Sequence, residues 1–213
     1  MPDLFQSDKK ESGSYWKDVW IRFKDGDVKA FEMIYGGHVD FLYSYGTKMT
    51  SDTELVEDAI QDLFLYLLSR KDKLSVPDSL RFYILKAFKR ILLEKISKEK
   101  LWLKDRDSDF PPFDYSIEFD SSFFFNEKEK KIELIEELVK QLDSRKKEVI
   151  FLRFYSGLSY DDIGNIVGIQ PSSAKKMVYR TISSFRDILK PKIAELFLLF
   201  TRSSQKISDQ FKK

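Results

Sequence analysis

The residues in this chain whose types and spacing could do chemistry point to recognition rather than to bond-breaking. Ser172, Ser173, Lys175, Lys176, Tyr179 and Arg180 fall at helical spacing, opposite an apolar set of Ala174, Val178, Phe185 and Leu189. A second set, Arg81, Phe82, Tyr83, Lys86, Lys89 and Arg90, puts aromatic rings beside cations. That combination suits single-stranded nucleic acid, where bases stack on rings and phosphates need neutralising. Asp58, Gln61, Asp62 and Leu65 form a third stripe, acidic and amide-bearing, on a helix whose other face is apolar. Against catalysis stand the absence of cysteine and a single histidine, His38, set beside Gly36 and Gly37 with no carboxylate cluster. DRDSD at 105–109 opens like a calcium loop, but Phe110 sits where the tight turn needs Gly and Ser116 where a bidentate Glu is needed. The expectation is therefore no enzyme, no metal and no cofactor.

The elements that must position these sets read as helices throughout, so the fold class is all-α, with no strand alternation to set against the helical stripes. The stretch from Leu142 to Leu189 is predicted to hold two short helices, a tight turn and a longer basic helix. Ser144 is read as the first N-cap, with Val149, Leu152 and Phe154 facing inward and Gly157 ending the helix. Ser159 and Asp162 make a capping box for the second helix, whose inner face is Ile163, Ile166 and Val167 and which Gly168 closes. Pro171 then suits a first helical position. Helix, Gly turn, basic helix is the arrangement that places a second helix in the DNA major groove. Between Gln170 and Lys192 six residues are basic and one acidic, which favours DNA over a merely solvated helix face.

Upstream, Trp16, Val19, Trp20 and Phe23 define a helix from Tyr15 to Lys24. Asp27 caps a second one carrying Phe31, Ile34, Tyr35 and Leu42 and closed by Gly46; His38, within it, is read as a packing or surface residue. Ser51 with Glu54 is read as a capping box launching Thr53 to Leu68, with Val56, Ile60, Leu63, Phe64 and Leu67 apolar. After a polar loop containing Pro77, a long helix runs from about Asp78 to Lys100 on Leu80, Ile84, Leu85, Phe88, Ile91, Leu92 and Ile96. The Pro- and acid-rich stretch to Asn126 reads as a linker, followed by a charged helix from Glu127 to Gln141 on Ile132, Ile135 and Leu138. Ile193, Leu196, Phe197 and Phe200 mark a last short helix.

A net charge of +2 conceals segregated blocks. Five acids and no bases lie between Ser51 and Leu68, nine bases and three acids between Arg81 and Arg106, and eight acids and two bases between Asp105 and Glu129. Surfaces of opposite sign imply different partners. The N-terminus lacks the apolar core of a signal peptide and no run reaches bilayer-spanning length, so a cytoplasmic chain without membrane insertion is expected.

With KDGDVKAFEMIY, ELVEDAIQDLFLYLL, SLRFYILKAFKRILLEKI and the helix-turn-helix block in this order, the chain resembles bacterial RNA polymerase sigma factors of the extracytoplasmic-function (ECF) type. The resemblance, over roughly Trp16 to Lys190, implies two helical domains joined by an acidic flexible linker: a disordered 1–14, sigma region 2 at 15–103, the linker at 104–126, sigma region 4 at 127–190, and a C-terminal helix and tail at 191–213. It implies that Asp58, Gln61, Asp62, Phe64 and Leu65 grip core RNA polymerase. The loop from Lys71 to Ser79, with Lys71 and Lys73, would capture a flipped base of the promoter −10 element. Arg81, Phe82, Tyr83, Lys86, Lys89 and Arg90 would line the melted strand, and Ser172, Ser173, Lys175, Lys176, Tyr179 and Arg180 would contact the −35 element. An anti-sigma factor is the further partner implied. The chain departs from the family pattern at Lys89, Arg90 and Glu94, and at Gln170, Met177 and Gly164. Gly164, where Ala is common, is expected to cost its helix roughly 1 kcal/mol. The rival readings are a helix-turn-helix regulator that needs no polymerase and a sigma-like decoy.

Overall fold

The seams that hold this protein together are helix on helix, and they divide the chain into two compact units, Met1–Asp114 and Tyr115–Lys213. The computed structural model describes residues 7–102, 113–114 and 137–188, and among these there is no strand. The division falls inside the stretch 104–126 expected to be a linker.

In the first unit, α1 (Ser7–Lys24), α2 (Val28–Gly36), α3 (Val39–Gly46), α4 (Thr53–Arg70) and α5 (Leu80–Trp102) follow one another, with a 3-10 turn at Lys71–Lys73. The apolar stripes explain their packing. Val56, Ile60, Leu63 and Leu67 of α4 meet Ile84, Leu85, Phe88 and Leu92 of α5, all buried, along the most extensive seam of the unit. Burying each such side chain contributes about 1.5–3 kcal/mol. Val19, Trp20 and Phe23 of α1 complete the core, as the sequence spacing predicts.

Several expectations need correcting. α1 starts at Ser7, inside the segment read as disordered. The single helix expected from Asp27 to Gly46 is two, broken at Gly37 and His38. Asp27 does cap α2: its carboxylate accepts from the Lys29 and Ala30 backbone N–H groups and from Arg22 Nη2 at 2.6 Å. These donors hold it below the usual carboxylate pKa, the Arg22 hydrogen bond most of all. The cap of α4 is Asp52, whose carboxylate accepts from the Leu55 N–H at 2.9 Å, rather than Ser51. Phe113, in the expected linker, is buried against the Tyr45 ring at 5.4 Å, and the Asp114 N–H donates to the Lys48 carbonyl at 2.7 Å. At this point the stretch is docked on the first unit.

His38 is a core residue. Its Nδ1–H donates to the Ile34 carbonyl at 2.8 Å and its ring meets Trp16 edge-on at 4.8 Å. Burial, helped by the Arg81 charge, lowers its pKa to about 4.

In the second unit, α6 (Ser144–Ile150) runs into a π-helical turn (Phe151–Tyr155); α7 (Tyr160–Val167) and α8 (residues 171–188) follow. Asp143 caps α6 by accepting from the Lys146 N–H, displacing Ser144 from the expected role. The π turn shifts the register, so Phe154 points to solvent and Phe151 is buried in its place. The capping box of Ser159 and Asp162 is formed, and Gly168 ends α7 at φ +71°. Gly164 has a use the helix-propensity argument missed. A Cβ there would stand 2.6 Å from the Ile169 carbonyl oxygen and 3.2 Å from the Pro171 nitrogen, where the chain turns back into α8.

Of the charged helix expected at 127–141, residues 137–140 are helical, with Leu138 and Val139 buried. Ile132, Ile135, Leu189, the helix after Pro191, the DRDSD segment and the rest of the linker lie outside the described residues.

Two outcomes follow. Gly164→Ala should destabilise the second unit by about 1–3 kcal/mol through overpacking of the turn, against the gain of about 1 kcal/mol that propensity predicts. Denaturant unfolding of the full chain decides the sign. His38 is neutral in the fold and protonates more readily when unfolded, so its contribution is complete above pH 6.5 and is lost as pH falls towards 4. Stability of the first unit should fall by about 2 kcal/mol between pH 7 and pH 5. A fall of the same size in His38→Gln would show that His38 is not its source.

Candidate nucleic-acid and partner interfaces

In the second unit, the burial of Ala174, Val178 and Thr181 turns α8 so that its opposite face is open. Ser172, Ser173, Lys175, Lys176, Tyr179 and Arg180 are all exposed on that open side, as their spacing predicts. Lys175 Nζ lies 5.9 Å from the centroid of the Tyr179 ring, which helps to keep both side chains on the open surface. The turn before α8 is rigidly built: Gly164 accepts from the Gly168 and Ile169 N–H groups, and Gln170 accepts from Ser173 and Ala174. Arg153 donates to the Leu158 carbonyl at 2.9 Å and stacks on Tyr160, bracing α6 against α7. Such a support presents the start of α8, with hydroxyls in its first turn, as a base-reading helix requires.

In the first unit, the residues of α5 expected beside a melted strand divide by environment. Phe82 and Tyr83 are half-buried, neither core nor free. Lys86 Nζ stands 5.4 Å from the Phe82 ring centroid, so a ring and a cation share one stripe of the helix surface. Tyr83 leans edge-on to Trp20 at 5.5 Å, and burial raises its phenol pKa. Arg81 turns the other way, its guanidinium 4.8 Å over Phe41. Lys86 and Arg90 are exposed and Lys89 half-exposed. Arg90 is engaged by Glu94 at 3.0 Å, an exposed i,i+4 pair that contributes only a few tenths of a kcal/mol. Ahead of the helix, Lys73 is exposed and Lys71 half-buried.

The acidic stripe of α4 is open to solvent at Asp58, Gln61, Asp62 and Leu65, which succeed one another along one face. Phe64 does not belong with them. It is buried against Tyr35 at 4.7 Å and Phe31 at 6.0 Å, so in this structure it supports the stripe from behind. Lys95 of α5 is a member the sequence reading missed. Its Nζ reaches Asp62 at 2.8 Å and Asp58 at 4.0 Å. The signal in the sequence was charge complementarity alone, and Lys98 and Lys100 of the same helix share it, so it could not single out Lys95.

Comparison with known proteins bears on the helix-turn-helix and on the fold. Residues 132–183 match the family described as Sigma-70, region 4. The ferric citrate uptake sigma factor FecI of Escherichia coli is 24% identical over 159 residues, covering 71% of this chain and 86% of FecI. Among solved structures, the sigma factor RpoE of Bartonella quintana, in complex with the anti-sigma factor NepR, superposes with a TM-score of 0.53 at 19% identity, over 76% of this chain and 98% of RpoE. CnrH, in complex with the cytosolic domain of CnrY, gives 0.50 at 14% identity, over 82% and 96%. At these identities the structures speak to the fold, which they share as all-α. Residues 132–183, which include the helix-turn-helix, therefore match sigma-70 region 4, and the chain as a whole is similar in sequence to the sigma factor FecI.

If Arg180 holds a phosphate, Arg180→Ala in a polymerase-bound complex should lower the slope of log K against log salt by about 0.9 and weaken all promoters alike. If Lys176 reads a base, Lys176→Ala should cost about 1–3 kcal/mol at one promoter position. Binding titrations on a set of single-base promoter variants, repeated across salt, separate the two; identical behaviour of both variants would contradict the assignment.

Proposed function

We propose that this chain is a transcription initiation factor that brings core RNA polymerase to promoters and helps open them. The observation that carries the reading is the open basic face of α8 on a sigma-70 region 4 unit, in a chain that also holds the acidic α4 stripe. In this reading α8 holds the −35 element in the major groove through Ser172, Ser173, Lys175, Lys176, Tyr179 and Arg180. The first unit takes the −10 element: Lys71 and Lys73 flank the base-capturing loop, while Phe82, Tyr83, Lys86, Lys89 and Arg90 meet the melted strand. Arg81, turned onto Phe41, sits at the edge of that path. Flipping and unstacking bases costs a few kcal/mol, which stacking on half-buried rings and neutralised phosphates can offset. Polymerase supplies the catalysis; the chain itself carries out no reaction.

The same reading makes Asp58, Gln61, Asp62 and Leu65 the polymerase contact and places the chain in the bacterial cytoplasm. The absence of any helix long and apolar enough to cross a membrane among the described residues is consistent with that. An anti-sigma protein is the expected regulator, since the RpoE structure was obtained with one bound.

Charge reversal at Asp58 and Asp62 would set two new cations against Lys95 and disturb the α4–α5 seam, so neutral substitutions are the better test. Asp58→Asn with Asp62→Asn should weaken capture of bacterial core polymerase at least tenfold, about 1.4 kcal/mol, with unfolding unchanged. Run-off transcription from promoters selected with the wild-type holoenzyme should fall in step. A wild type that binds core polymerase but starts no transcript would favour the decoy reading; one that binds operator DNA unaided and ignores polymerase would favour an autonomous regulator.

A further inference from the structure

Resting on that reading, we infer that Trp20 of α1 is a positioning residue for base capture, fixing the 71–79 loop and Tyr83 together. The indole is fully buried, yet its Nε1–H is not spent within its own helix: it donates to the Ser75 carbonyl, 55 residues on, at 3.0 Å. The loop thus hangs from α1 by its own backbone. Leu74, buried next to the pinned peptide, supplies the apolar half of the attachment, while Lys73, Ser75 and Val76 remain exposed around it. The same indole receives Tyr83 edge-on at 5.5 Å and is wedged from within by Phe23 at 5.2 Å. One rigid, two-ring side chain therefore touches both parts of the site an extruded base would enter, the loop that surrounds it and a ring beside the strand. A second link from α1 to the loop, Lys17 to Asp78 at 3.3 Å, joins two exposed side chains and is too solvated to set the loop's geometry alone.

A residue that fixes a loop through one directed hydrogen bond acts on the geometry of capture, not on where the protein binds. Its loss should leave polymerase and duplex binding intact and impair the step in which a base leaves the stack. Trp20→Phe keeps most of the packing and removes the donor. Benzothienylalanine at position 20, isosteric with tryptophan but without the N–H, serves if the Phe variant is poorly folded. With wild-type affinity for core polymerase, the variant holoenzyme should form open complexes on duplex promoter at least tenfold more slowly, read by fluorescence of 2-aminopurine in the −10 element. The defect should shrink on a template mismatched across that element. Removing the flipped base to leave an abasic site should also weaken the variant's complex less than the wild type's. Equal opening rates, or equal impairment on both templates with an unchanged abasic penalty, would overturn the inference. A wild type that opens no promoter overturns the sigma reading and this inference together.

Discussion

The α4–α5 seam is the constraint on which the rest of the first unit depends. Because an α-helix repeats every 3.6 residues, committing Val56, Ile60, Leu63 and Leu67 to α5 leaves no choice about where Asp58, Gln61, Asp62 and Leu65 point. The same seam commits Ile84, Leu85, Phe88 and Leu92 of α5 inward and so turns Lys86 and Arg90 towards solvent, with Phe82 half-buried on the same stripe. An acidic stripe on α4 and a basic, ring-bearing stripe on α5 are thus placed by one apolar contact. The ion pairs on each, Lys95 with Asp62 and Arg90 with Glu94, join part-exposed side chains and are weak beside that apolar contact.

The second unit solves a different problem, turning the chain sharply enough to set α8 against α7. Gly168 supplies the left-handed residue that ends α7, and Gly164 supplies room for the returning backbone at Ile169 and Pro171. Helix propensity and tertiary fit act in opposite directions at Gly164, and the 2.6 Å approach to a carbonyl oxygen decides between them. The departure from the family's common Ala is therefore accommodated by the close turn.

What was legible in the sequence is what periodicity and local chemistry determine. The apolar faces of α4 and α5, Ile163 and Ile166 of α7, Ala174 and Val178 of α8, the capping box at Ser159, the open residues of α8 and the exposure of Asp58 and Asp62 follow from spacing alone, whereas Val167 and Phe185, expected inward, are only half-buried. The misread caps were each wrong by one position, at Ser51–Asp52 and Asp143–Ser144, where neighbouring residues are both competent and only the reach to the N3 amide selects one. Phe154 was misplaced because a π turn adds a residue that a constant helical period does not anticipate. Phe64 was claimed both by the apolar stripe and by the family likeness, and burial settled it as core. The contacts of Phe113 with Tyr45, Trp20 with Ser75 and Lys95 with Asp62 join residues far apart in sequence, and no local pattern encodes them.

Lys95 shows how such a distant contact alters the meaning of a legible one. Two aspartates on adjacent turns repel, and at half exposure each is already well hydrated. A single lysine between them relieves that repulsion without neutralising both, leaving a net negative stripe held in one orientation. A cationic partner surface must then compete only with a part-exposed pair, worth at most about 1 kcal/mol. It meets carboxylates whose rotamers are already ordered, so less entropy is lost on docking. The stripe is thus paired in the free protein through a contact that a competing cation can exchange, which is what the proposed polymerase contact would need.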